Sequence, residues 1–260
     1  MAFALVTGAS GGIGLGIAFE LAKRKIDLLL VARSQENLAK AKKEITEKYG
    51  VRVELLSVDL SVPGSAQSVS TWIRQNNFNV SVLVNNAGYG IWGSVEKTPW
   101  TQLNNMMQLN MTSLVELCQL LIPELKKHDK SYIMNVSSTA SYQAVPTLAT
   151  YAASKSFVLL FTRGLRKELS KSNVSVTCLS PGPTATSFVD RAGMTDFLKK
   201  RAEKFSMKAE DVARIAVRGM FKGKAEIIPG FMNWFSVQMT YLVPKGIPEK
   251  IAEGLYETPA

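Results

Sequence analysis

Apolar and polar positions follow one another in blocks along this chain. Short runs with little polar interruption, at 3–6, 27–32, 51–58, 80–84, 131–137, 174–179 and 225–229, alternate with longer stretches in which apolar residues recur every three to four positions. The unbroken runs predict strands buried on both faces. The periodic stretches predict helices over about 13–25, 35–49, 65–76, 100–127, 150–170 and 209–221. Strand and helix in regular alternation imply right-handed crossovers, hence an α/β fold: a doubly wound, Rossmann-like parallel sheet of about seven strands with helices on both faces. A length of 260 residues without internal repeats or linkers fits a single domain over 1–260.

Two regions depart from this rhythm. Residues 187–206 place Phe188, Val189, Met194, Phe197 and Leu198 among charges, which fits either an amphipathic helix or a wall over a binding pocket. In the C-terminal extension, 230–260, the absence of charge over 227–244 approaches the length of a membrane span. Two prolines, a glycine and several amides and hydroxyls argue against spanning. A helix packed on a subunit partner or over the substrate pocket is the expectation, ahead of contact with a membrane surface.

Composition narrows the function classes. The chain carries a formal charge of +10, but its lysines are scattered along helices without interleaved aromatics, which argues against a nucleic-acid platform. One histidine, His128, and two distant cysteines, Cys118 and Cys178, supply no metal-ligand cluster, and the cysteines read as buried thiols of a reducing compartment. The opening strand leaves no room for a cleavable apolar segment, so a cytoplasmic location is expected.

The candidate chemistry lies in two places. Between the first strand and helix, Gly8, Ser10, Gly12, Ile13 and Gly14 form a turn in which glycines let the backbone approach a pyrophosphate whose charge meets the helix N-terminal amides. The second strand ends in Ala32-Arg33, offering a guanidinium for a ribose 2′-phosphate and no carboxylate for a 2′-hydroxyl, so the expected cofactor is NADP(H). Asp59, before Leu60, is either a loop cap or a partner for adenine. Farther on, Tyr151 and Lys155 stand at i and i+4, so both project from one helical face. A phenol beside a fixed ammonium is a proton donor brought nearer working pH, and a serine at the end of the preceding strand could hold a carbonyl oxygen against it.

The ordered motifs TGASGGIG, NNAG, YAASK and the Pro181-Gly182 turn, with thirteen positions from Ser138 to Tyr151, resemble the short-chain dehydrogenase/reductases in their shorter single-domain branch, from Thr7 to about Gly230. The resemblance implies hydride transfer between a nicotinamide and a carbonyl or secondary alcohol. It assigns Tyr151 as general acid or base, Lys155 as its partner and as holder of the nicotinamide ribose, Ser138 as support for the substrate oxygen with Ser137 its nearest competitor, and Asn110 as support for a water relay to the lysine. It adds Asn86, Ala87 and Gly88 to the cofactor site, together with Pro181, Gly182 and Thr184 or Thr186 near the nicotinamide carboxamide. It further implies an apolar small-molecule carbonyl or alcohol as substrate, a homodimer or homotetramer paired through the helices at 100–127 and 150–170, and 187–206 as substrate lid. A 3-oxoacyl-thioester reductase is the alternative, and a non-catalytic NADP(H)-sensing protein the minority one.

Overall fold

The computed structural model describes residues 2–256. Its frame is a sheet of parallel strands: β1 (Phe3–Thr7), β2 (Asp27–Ala32), β3 (Val53–Ser57), β4 (Val80–Asn85), β5 (Ser131–Val136), β6 (Val174–Leu179) and a two-residue edge, β9 (Glu226–Ile227). The spatial order is β3-β2-β1-β4-β5-β6-β9, the Rossmann order with its reversal between β1 and β4. Register is continuous, Phe3 opposite Asp27 through Thr7 opposite Val31 on one side of β1, with one shift at Phe3/Ala4 on the other.

Both faces of the sheet are covered, which is why the strands read as unbroken apolar runs. Ala4, Val6, Leu28 and Leu30 face one layer, formed by α1 (Gly12–Ala22), α2 (Gln35–Tyr49) and α9 (Ala209–Phe221). Their neighbours Phe3, Leu5, Leu29 and Val31 face the other, formed by α3 (Ser65–Gln75), α5 (Ser113–Leu125) and α6 (Ala149–Glu168). The seven parallel strands with helices on both faces match the expectation from the sequence.

The helix expected over 100–127 is not one α-helix. It comprises α4 (Trp100–Met107), a π-turn (Gln108–Thr112) and α5. The cause is side-chain chemistry: the Asn110 amide, almost fully buried, reaches out of the helix to the backbone of Tyr89, and the Ser113 hydroxyl donates to the Leu60 carbonyl at 2.5 Å. Extra residues in a turn re-aim such groups, and π-turns recur at functional sites for that reason.

The segment expected as a lid is two helices, α7 (Phe188–Arg191) and α8 (Asp196–Phe205), closed at its base by a parallel ladder between β7 (Thr184–Ala185) and β8 (Met207–Lys208). The extension forms α10 (Phe231–Leu242) and α11 (Gly246–Tyr256); residues 257–260 of it, like Met1, lie outside the described residues. Helix α10 buries Val237 and wedges Asn233 against Gly182, while Phe231, Met232 and Leu242 face outward. Among the described residues no helix is long and apolar enough to cross a membrane.

Candidate active site

At the carboxyl ends of β1 and β4 the chain builds a cradle for a dinucleotide. Gly8 and Gly12 take φ of +66° and +55°, a left-handed region that glycine enters without cost. A Cβ on Gly8 would stand 2.7 Å from Asn86 Nδ2, and one on Gly14 would strike the Gly8 carbonyl, so the turn is shut against side chains. Helix α1 begins at Gly11 with no side-chain cap and no carboxylate in its first turn, leaving its leading amides to an anion. These features fit a pyrophosphate, and with it the nicotinamide dinucleotide.

Asn86 serves the cradle from behind. Its Nδ2 donates to the Thr7 carbonyl at 2.9 Å, while Thr7 Oγ1 accepts from the amides of Asn86 and Ala87, each at 3.0 Å. The buried Thr7 is thus the tie between the glycine turn and the NNAG turn, and sequence reasoning missed it. The only signal was a hydroxyl closing an otherwise apolar strand. Gly88 brings its backbone so close that a Cβ would sit 3.0 Å from Asn110 Oδ1 and 3.2 Å from Lys155 Nζ.

Lys155 is 5% exposed, and its Nζ donates to the Val136 carbonyl at 2.9 Å while lying 5.9 Å from the Tyr151 ring centroid. Burial pushes this ammonium down to about 8. Asn110 Nδ2 donates to the Tyr89 carbonyl at 2.9 Å and to Ser154 Oγ at 3.1 Å, and Asn110 Oδ1 accepts from the Tyr89 amide at 3.1 Å. The side chain therefore holds the loop after Gly88 against α6.

The two serines differ in use. Ser137 is buried and donates to the Lys155 carbonyl at 2.7 Å, locking β5 to α6. Ser138 is partly exposed and accepts from the Ala140 amide at 3.1 Å, at the head of a short 3-10 turn (Thr139–Tyr142). Ser138 is thus the serine at the open end of the strand.

The segment expected as a lid lies over Tyr151. Phe188 tilts across the phenol ring with centroids 5.3 Å apart, and Gly90 lies where a Cβ would be 2.8 Å from Phe188 and 3.3 Å from Tyr151. Met194, Leu198, Leu103 and Val145 complete an apolar enclosure around the same tyrosine. Thr147, before α6, holds φ of +63°, costly for a β-branched residue, with its carbonyl fixed by the Gly93 amide at 2.8 Å. Gly90 and Thr147 left no mark in the sequence, because their roles arise from contacts between distant segments.

Of the remaining expected residues, Ser10 and Ile13 lie in and beside the glycine turn, and Leu60 is buried in the core below it. Asp59 is a loop cap: its Oδ1 accepts from the Ser61 amide at 2.9 Å and the Ser61 hydroxyl at 2.6 Å. Its Oδ2 lies 3.6 Å from Arg33 Nη1. Burial opposes ionisation here, but the Ser61 bonds and the Arg33 charge outweigh it and hold the carboxyl below its usual range. Pro181 accepts from the Thr139 amide at 2.9 Å, tying its turn to Ser138. Thr184 Oγ1 donates to the Gly182 carbonyl at 2.9 Å, and Thr186 reaches Gly12, where a Cβ would lie 2.9 Å from its methyl.

The short chain dehydrogenase family model matches residues 2–196, the span that holds the glycine turn, Asn110, Ser138, Tyr151 and Lys155. The chain belongs to this family. It is therefore an oxidoreductase acting on carbonyl and alcohol substrates with a nicotinamide cofactor. A very-long-chain 3-oxoacyl-CoA reductase of Anas platyrhynchos is 32% identical over 254 residues, covering 93% of this chain and 77% of that protein. A short-chain dehydrogenase from Sphingobium yanoikuyae, solved in complex with NADPH, is 28% identical with a TM-score of 0.82 over 93% of this chain and 94% of that one. One from Burkholderia phymatum, solved in complex with NAD, shares the fold at 19% identity, TM-score 0.85, over 100% of this chain and 98% of that one.

Proposed function

We propose that this member of the family is an NADP(H)-dependent reductase of apolar ketones or aldehydes, acting in reverse as an alcohol dehydrogenase, in a reducing cytoplasm. The observation that carries the reading is the enclosure of Tyr151: an apolar lid above, Lys155 behind and Ser138 at the open strand end. When bound, the nicotinamide supplies or takes the hydride. Gly8, Gly12 and Gly14 cradle its pyrophosphate, and Lys155 meets the ribose. Ser138 holds the substrate oxygen, and the Tyr151 hydroxyl gives it a proton. The Lys155 ammonium stabilises the phenolate left behind, at short range and away from water. Asn110 acts by position, keeping the loop at 88–90 pressed to α6.

Preference for NADP(H) rests on Arg33, with Ala32 in the place of an acidic residue. A second reading, reduction of a 3-oxoacyl thioester, is favoured by the duck relative's name and by the five basic residues within 196–208, four of them in the lid, which suit an anionic carrier.

The test is cofactor oxidation with NADPH and NADH in parallel, against aldehydes, diketones, steroid ketones and 3-oxoacyl thioesters. Tyr151→Phe is expected to lose about 10³-fold in kcat while binding NADPH as the parent does. Full turnover in that variant would overturn the mechanism, and turnover confined to thioesters would select the second reading.

A further inference from the structure

Helix α7 has only four residues, yet its two ends touch both halves of the site. Phe188 covers the Tyr151 ring, and Arg191 lies 4.3 Å from the ring centroid of Tyr89, the residue that follows the NNAG turn. Tyr89 is itself fixed, its amide and carbonyl both bonded to Asn110. The guanidinium of Arg191 is therefore held at the edge of the dinucleotide cleft, on an element that belongs to the lid.

No carboxylate pairs with it at contact range; the Asp59 charge reaches it only from farther off. Among the described residues no carboxylate lies within 4.0 Å of Arg191, whereas the nearby Asp59 is engaged by Arg33 at 3.6 Å. Burial and then the Arg33 charge push Arg191 below an ordinary arginine's range, as two like charges near one cleft must do to each other. Arginine does not deprotonate in proteins, and Arg191 keeps an exposed face, so its charge stays open to an anion. The guanidinium of Arg191 is planar and lies over the Tyr89 ring, with a fork of donors suited to a phosphate. The lid's other anchor, Thr186, already rests on Gly12 of the pyrophosphate turn.

We infer that Arg191 is a lid-borne ligand for a phosphate of the nicotinamide dinucleotide, so that bound cofactor holds the lid in place over Tyr151. The inference rests on the dinucleotide site described above and adds to it a residue outside the glycine, NNAG and Pro181-Gly182 motifs. Either the 2′-phosphate or the pyrophosphate supplies the same chemistry, and the two cofactors separate them.

The experiment measures the Kd of NADPH and of NADH by titration calorimetry for the parent, Arg191→Ala and Arg191→Lys, with no substrate present. Arg191→Ala is expected to bind NADPH about tenfold or more weakly, at an unchanged apo melting temperature. An equal loss for NADH assigns the pyrophosphate, and an unaltered NADH affinity assigns the 2′-phosphate. Arg191→Lys recovers part of the affinity, because charge rather than packing is what the contact needs. Chymotrypsin, which cuts beside Phe188, Phe197 and Phe205, provides a second readout. NADPH slows cleavage of the parent severalfold and protects Arg191→Ala far less. Parent-like affinity and protection in Arg191→Ala would overturn the inference while leaving the reductase reading intact. Failure of the parent to bind either dinucleotide would overturn both.

Discussion

Lys155 carries its ammonium where water scarcely reaches, held by one carbonyl of β5. Its folded pKa of about 8 lies below the unconstrained value of 10.5, so between those two pH values the unfolded chain binds more protons than the folded one. Stability of the protein without cofactor is therefore expected to rise from pH 8 toward 10.5, by about 3 kcal/mol in total from this group. Below pH 8 the lysine is charged in both states and contributes no slope. Denaturant titrations should show the stability difference between the parent and Lys155→Met growing by that amount across the window; above about pH 9 the buried Cys118 and Cys178 thiols, pushed up to about 12, lower the stability of both proteins and cancel in the difference. At the other end of the cleft, Arg33 is more than half exposed, so its contribution is a selective one. Arg33→Ser is expected to weaken NADPH about tenfold and leave NADH unchanged, read as two dissociation constants.

Elements place these residues through a few side-chain ties. The π-turn between α4 and α5 exists because Asn110 bonds the loop at 89 and not its own helix. Asn110→Leu strands the Tyr89 amide and carbonyl and removes a donor to Ser154, with an expected cost of about 3 kcal/mol in urea unfolding. Activity should fall with it, since the loop at 88–90 loses its seat beside Lys155 and Phe188. The lid works on the same plan. A two-rung ladder at its base, Arg191 on Tyr89 and the Trp92 amide donating to Ala192 at 2.9 Å hold α7 over the tyrosine.

At the scale of the whole molecule, apolar surface remains uncovered on α6. Phe157 is 43% and Leu160 72% exposed, and Phe157 stacks on Phe161 with planes 3° apart. That flat aromatic strip, on a helix of twenty residues, is the face through which two copies are expected to pair. Leu160→Glu with Phe157→Glu should convert an oligomer to a monomer by light scattering, without altering far-UV circular dichroism. A monomeric parent would remove the basis for the pairing.

Much of this protein was legible without coordinates. Unbroken apolar runs read as strands covered on both sides, and their alternation with helices implied the doubly wound parallel sheet that is observed, while its strand order came from the structure. The spacing of Tyr151 and Lys155 and the glycine turn were local in sequence, set by helical periodicity and by the steric freedom of glycine, and the order of the motifs around them gave them their meaning. Ser138 was preferred to Ser137 on its thirteen-position interval to Tyr151, but that the Ser137 hydroxyl meets the Lys155 carbonyl was decided between elements. Thr7, Gly90, Thr147 and Arg191 likewise gain their meaning from residues tens of positions away. The break in the helix at Asn110 and the outward turn of α10 belong to the same class. Periodicity reports which residues share a face of one element; only the packed chain decides what each face meets, because burial and hydrogen bonding are settled between elements.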